Sequence, residues 1–124
     1  MDDSHKSDRA ELLRMFVLDA IADDYENLEQ ICADVSAMST RCALLVQCSD
    51  VTKALVSLIA SGLASPYKLR PTAEKVEGIP ATDALGSYYY WVTEKGREVQ
   101  LSDYAGWPFG ENGELRKDWA VPTQ

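Results

Sequence analysis

Three cysteines and a single histidine are the side chains of this chain best suited to metal binding or thiol chemistry. Cys32, Cys42 and Cys48 lie 10 and 6 residues apart, so they contain no CxxC pair, and their odd number predicts no disulfide framework. A structural zinc site needs about four Cys or His ligands, and His5 lies in the polar N-terminal segment. We therefore expect no metal and no cofactor, and interpret the cysteines as buried structural thiols. A redox-sensing thiol is the alternative, but nothing nearby in the sequence favours it, since only Arg41 beside Cys42 could help to form a thiolate.

Acidic pairs and glycines are the other features that could indicate catalysis. The acids at positions 2–3 and 23–24 are interpreted as solvated helix flanks, and His5 alone completes no Ser/His/Asp or Cys/His arrangement. The glycines form neither a GxGxxG motif nor a P-loop. The sequence therefore predicts a protein that is not an enzyme.

Hydroxyl and cationic side chains that suit DNA contacts are concentrated between residues 49 and 75. Residues 49–70 carry Lys53, Lys68 and Arg70 against Asp50, which gives +2 in a chain whose net charge is −8. Ser, Thr, Lys and Arg side chains bond to phosphates and to base edges. If this segment belongs to a DNA-binding fold, the candidates for DNA contact are Ser49, Thr52, Lys53, Lys68, Arg70 and Lys75.

Helical periodicity predicts the elements that position the first three of these residues. Apolar side chains at 12, 13, 16, 17, 20 and 21 predict a helix from residue 8 to about residue 24. A second helix is predicted over 27–37, where Asn27 and Gln30 resemble a capping box. A short extra helix is expected within 38–48. The next helix, 49–61, begins at Ser49 or Asp50 and ends before Gly62, where a left-handed glycine is expected.

Strand signals follow this helix. Residues 67–70 are a candidate strand after Pro66, and residues 87–93 are aromatic and β-branched, which is typical of a strand. Residues 71–86 are expected to form a long hairpin loop. A short helix capped by Thr93 is predicted to follow, although Gly96 lowers the helix propensity of this segment. Within the second strand, alternation places Tyr88 and Tyr90 on one face and Tyr89 and Trp91 on the other.

Two local patterns resemble winged-helix transcriptional regulators of the MarR and PadR type. Residues 51–63 read VTKALVSLIASGL, similar to the recognition helix of those families. Residues 90–99 read YWVTEKGREV, similar to the wing strand that leads into Leu-Thr-Glu-Lys-Gly-Arg, with Val92 in place of Leu. The resemblance covers roughly residues 8–100 and implies an α+β winged helix. In that fold a three-helix helix-turn-helix core precedes a C-terminal β-hairpin wing, and in this chain an irregular tail is expected to follow the wing.

The resemblance implies a role for each segment. Helix 49–61 is expected to be the recognition helix and 67–93 the wing hairpin, with double-stranded DNA as the partner. Residues 1–7 are expected to form a flexible tail, 8–101 the winged-helix domain, and 102–124 an irregular extension packed on it. The chain differs from the families in a longer connection over 38–48, a longer wing loop, and a tail that is not their dimerisation helix. The sequence therefore does not decide whether the chain forms a homodimer.

A protein-interaction module is the alternative function. The net charge of −8, the acidic Asp50 in the recognition helix and the aromatic run over 88–91 favour a protein partner. Packing of the tail residues Trp107, Phe109 and Trp119 on the sheet would explain the same aromatics. Since we find neither a secretory leader nor an apolar run long enough to cross a bilayer, we expect no membrane association and a cytoplasmic location.

Overall fold

The structure is a computed structural model that describes residues 9–22, 26–68, 78–80, 82–102 and 107–119. The described residues form an α+β fold of four α-helices and a small three-stranded antiparallel sheet. In chain order these are α1 (Arg9–Ile21), β1 (Glu26–Asn27), α2 (Leu28–Arg41), α3 (Cys48–Ala60), β2 (Ala64–Tyr67), a 3-10 turn (Thr82–Ser87), β3 (Tyr89–Val92) and α4 (Glu94–Leu101). The predictions for the tail 1–7 and for the acidic pairs lie outside the described residues.

The first helix, α1, lies at the centre of the fold because α2, α3 and α4 all pack against it. The predicted apolar positions at 12, 13, 16, 17 and 21 are confirmed as buried, whereas Ala20 is only half-buried. Met15 and Leu18 are buried as well. A helix that is apolar on nearly all sides is one that other elements surround. The helix ends at Ile21, slightly earlier than predicted.

The second helix begins as predicted but runs further. The Gln30 N–H donates to Asn27 Oδ1 at 2.9 Å, and the Asn27 N–H donates to Gln30 Oε1 at 3.2 Å, which confirms the capping box. The helix continues to Arg41, so the prediction of a separate helix within 38–48 is wrong. Met38 and Cys42 extend the apolar face of α2, and an irregular segment, 42–47, then leads to α3.

The third helix starts at Cys48, one residue before the earlier of the two predicted starts. Its end matches the prediction, since Gly62 has a φ of 79°. The Gly62 N–H donates to Ile59 O at 3.1 Å and the Leu63 N–H donates to Leu58 O at 2.9 Å. This pair of bonds is the Schellman arrangement, which satisfies the last carbonyls of a helix.

The sheet has the order β1-β3-β2. Its strand β2 spans Ala64–Tyr67, so the strand predicted to follow Pro66 instead contains it. Proline is tolerated there because β2 is an edge strand, whose outward N–H groups need no partner in the sheet. The two-residue strand β1 was not predicted, because two residues carry no periodic signal.

The aromatic strand β3 alternates as predicted. Tyr90 is fully buried with Val92, whereas Tyr89 and Trp91 on the other face are half-buried. The Tyr90 hydroxyl donates to Leu85 O at 2.6 Å, and burial raises the pKa of this hydroxyl. The 3-10 turn before β3 is thereby tied to the core.

The last described segment, 107–119, packs against the helices. The Trp107 ring meets Phe16 of α1 edge-on, with centroids 5.3 Å apart. The Arg41 guanidinium lies 4.5 Å from the Phe109 ring centroid, and Trp119 Nε1 donates to Cys42 O at 3.1 Å. These contacts join the segment to α1 and to the end of α2.

Candidate nucleic-acid interface

The outer face of α3 brings together three of the residues predicted to contact DNA. Ser49 and Lys53 are exposed and Thr52 is half-buried, all within the first turn and a half of the helix. The opposite face holds the buried residues Val51, Ala54, Leu55 and Leu58. Because this apolar face is fixed in the core, the polar face is held at the surface in one orientation.

The Thr52 hydroxyl is partly engaged within the helix. It donates to the carbonyl oxygen of Cys48 at 3.0 Å, one turn earlier. A threonine hydroxyl has one hydrogen and two lone pairs. In this rotamer Thr52 therefore offers an acceptor to a partner, whereas Ser49 and Lys53 supply the donors.

Asp50 is the acidic residue of this helix, and it has two structural partners. Its Oδ2 accepts the N–H of Gln47 at 2.9 Å and lies 3.1 Å from Nη2 of Arg9. The Gln47 N–H, and then the Arg9 guanidinium, hold the pKa of this carboxyl below its ordinary value. The negative charge near the start of α3 is therefore compensated by a cation from α1.

Arg9 also fixes the irregular segment that precedes α3. The same Nη2 donates to Leu45 O at 2.7 Å. Sequence reasoning did not find Arg9, because it lies 36 residues from Leu45 and 41 from Asp50. No local pattern reports a contact at that separation.

The predicted hairpin residues are only partly within the described structure. Lys68 is exposed, directly after the end of β2. Arg70 and Lys75 lie outside the described residues. The hairpin itself is formed by β2 and β3, which pair with Ser65 opposite Trp91 and Tyr67 opposite Tyr89.

The cysteines correct one prediction. Cys32 of α2 and Cys48 of α3 form a disulfide with a Cα–Cα distance of 5.7 Å. Two of the three cysteines are therefore not free thiols, although an odd count at irregular spacing gave no sign of this pair. Cys42 is free and buried, and burial raises the pKa of its thiol, which makes it a poor nucleophile.

A groove opens on the face of the sheet that carries Tyr89 and Trp91. It has a volume of about 460 Å³ and is lined by Ser65, Tyr67, Trp91, Val92, Thr93, Glu94 and Arg97. The guanidinium of Arg97 lies 5.8 Å from the centroid of the Trp91 ring. Of the tail residues expected to pack on the sheet, Trp107 contacts Phe16 of α1 and Trp119 bonds to Cys42 after α2. Neither of these two partners belongs to the sheet.

Comparisons with known proteins give no relative. No family model matches the chain, and neither a search of curated proteins nor a search of solved structures found a match. In the described part of the chain, no three His, Cys, Asp or Glu side chains are grouped so that they could hold a metal ion. None of the described helices has the length and apolar character of a membrane span.

Proposed function

We propose that this chain is a winged-helix protein that binds double-stranded DNA and regulates transcription. In this proposal α3 is the recognition helix and the β2–β3 hairpin is the wing. The element order helix, short strand, two helices and hairpin supports it, as does a sheet in which β3 lies between β1 and β2. The protein acts in the cytoplasm, without catalytic activity.

The polar face of α3 is the observation that carries this proposal. Ser49 and Lys53 are exposed on the side of the helix opposite the core, where a recognition helix meets the major groove. An uncompensated carboxylate at Asp50 would repel the DNA phosphates, and the ion pair with Arg9 compensates this charge. Lys68 adds a cation at the hairpin.

Few cations are available, so the expected affinity is modest and the slope of its salt dependence is shallow. Each phosphate neutralised contributes about 0.9 to the slope of log K against log salt concentration. The net charge of −8 opposes association at long range. Binding should therefore be detectable first at low ionic strength.

The test is fluorescence anisotropy of a labelled random-sequence duplex, titrated with the full chain at several salt concentrations. Wild type should bind, and its affinity should fall as salt rises. Lys53→Glu and Lys68→Glu should each weaken binding and reduce the salt slope by about 1. Lys117→Glu changes the net charge equally but lies on the segment 107–119, so it should retain most of the affinity.

Absence of binding by a folded wild type at low salt would refute the DNA proposal. Equal losses in all three variants would show that net charge, rather than the α3 face, determines binding. The alternative is then a protein-interaction module without DNA binding. The groove beside Trp91 favours it, because half-buried aromatic side chains next to an arginine are typical of protein interfaces.

A further inference from the structure

The start of α3 is held by few core contacts. Leu44 and Val51 are buried, but in the described segment 45–50 between them no residue is fully buried. Leu45 is 90% exposed. Within this segment Val46 packs against the core while only half-buried, so the first turn of α3 gains less from hydrophobic packing than the rest of the helix does.

Two cross-links to other helices also hold the start of α3 in place. Arg9 of α1 bonds to Leu45 O and to Asp50. The disulfide joins Cys48, the first residue of α3, to Cys32 in the second turn of α2. The second cross-link, the disulfide, can be broken by reduction and formed again by oxidation.

The disulfide is adjacent to the proposed DNA-contacting residues. Ser49 follows Cys48 directly, and the Cys48 carbonyl accepts the hydroxyl of Thr52. Cys48 is exposed and Cys32 is half-buried, so a reductant in solution can reach the bond from the Cys48 side. In a reducing compartment, disulfides are commonly transient and redox-sensing rather than permanent.

We propose that the Cys32–Cys48 pair is a thiol–disulfide switch that orders the first turn of α3 and so sets the affinity for DNA. The disulfide form is the binding form. The reduced form keeps the Arg9 contacts but loses the covalent cross-link, so the first turn opens more often. This inference rests on the proposed function for its second half, whereas the ordering of α3 is measurable without DNA.

The switch step is a thiol–disulfide exchange with a dithiol reductant. A thiolate of the reductant attacks Sγ of Cys48, the S–S bond breaks, and its electron pair leaves on Sγ of Cys32, which takes up a proton. The second thiol of the reductant then attacks the mixed disulfide and releases Cys48 as a thiol. Two electrons and two protons reach the protein, and the reductant leaves as its own disulfide.

The experiment compares the full chain in its oxidised form and after reduction by dithiothreitol. Thiol titration in denaturant, which exposes the buried Cys42, should find one thiol in the oxidised chain and three in the reduced chain, since Cys42 is free in both. If the first turn is ordered in about a tenth of the reduced molecules, anisotropy should show a roughly tenfold rise in Kd for a labelled random-sequence duplex.

Amide hydrogen exchange supplies the readout that needs no DNA. The N–H groups of Asp50 and Val51 donate to Gln47 O at 2.9 and 3.3 Å, so both should exchange about tenfold faster after reduction. The N–H of Leu63, which bonds to Leu58 O at the other end of α3, is the internal reference and should not change.

Variants separate this cysteine pair from the third thiol. Cys32→Ser/Cys48→Ser should match reduced wild type and ignore the dithiol, and Cys42→Ala should still respond to it. Should the double variant fail to fold, reduced wild type provides the same comparison. Unchanged exchange at Asp50 and Val51 overturns the switch, and so does an equal Kd in both forms. Faster exchange with no DNA binding in either form refutes the proposed function while leaving the ordering of α3 established.

Discussion

Gly96 is the position where a single methyl group should damage the fold most clearly. A Cβ added to Gly96 in α4 would lie 2.0 Å from Leu63 O and 2.9 Å from Leu63 C, both backbone atoms. Val92 Cγ2 would be 2.8 Å away. Backbone cannot turn aside as the end of a flexible side chain can, so Gly96→Ala must push α4 away from the end of α3.

That displacement has a cost that can be estimated from the contacts involved. Overpacking in a well-packed site costs about 1–3 kcal/mol. The Leu63 carbonyl also accepts the N–H of Thr93 at 3.0 Å, and loss of that bond adds about 1 kcal/mol. The better helix propensity of alanine offsets about 1 kcal/mol. We expect a net loss of about 2 kcal/mol, which lowers Tm by about 8 °C in a chain of this size.

Urea denaturation and thermal melting followed by circular dichroism measure this loss. Gly86→Ala is the matched control, because a Cβ at Gly86 meets nothing within 4 Å. It should leave stability within about 0.5 kcal/mol of wild type or raise it slightly. A Gly96→Ala protein as stable as wild type would refute the close packing of α4 on Leu63.

Two further predictions concern the Asp50 carboxylate and the C-terminal segment. The folded-state pKa of Asp50 is lowered by the Gln47 N–H and by Arg9, so its contribution is present above about pH 4 and is lost as pH falls through the folded pKa. Urea denaturation should therefore show that the free energy of unfolding of wild type exceeds that of Asp50→Asn by less than about 1 kcal/mol at pH 6. This difference should disappear towards about pH 2.5. Trp107→Ala removes the half-buried ring that meets Phe16, and should lower the free energy of unfolding by about 2–3 kcal/mol.

Each of these predictions has its own control. Parallel pH profiles for wild type and Asp50→Asn would contradict the assigned pKa direction. Leu101→Ala is the comparison for Trp107→Ala, because Leu101 is 71% exposed and its loss should change stability by no more than about 0.5 kcal/mol. A similar small effect for Trp107→Ala would mean that the segment 107–119 does not contribute to the core.

The sequence by itself determined the features that depend on residues a few positions apart. The Asn27–Gln30 capping box, the left-handed Gly62 and the Thr93 cap of α4 all form within three or four residues. The alternation of β3 follows likewise from the strand period of two residues. Such signals survive in the sequence because the interacting groups remain neighbours in every fold.

Of the candidate site, the sequence predicted the helix face but not what supports it. Ser49, Thr52 and Lys53 share one side of α3 because helical spacing places them there. Gly96 was interpreted as a weakness of the last helix, and only its approach to Leu63 explains why glycine stands there.

Only the tertiary structure decided which distant residues meet. Arg9 reaches Asp50 across 41 residues, Cys32 pairs with Cys48 across 16, and the two-residue β1 exists because β3 lies beside it. These contacts depend on how α1, α2 and the sheet are placed around one core, and packing between distant segments leaves no period or spacing along the chain. Local spacing in the sequence therefore determines which residues lie on the α3 surface, whereas the contacts that hold this surface in place depend on the whole fold.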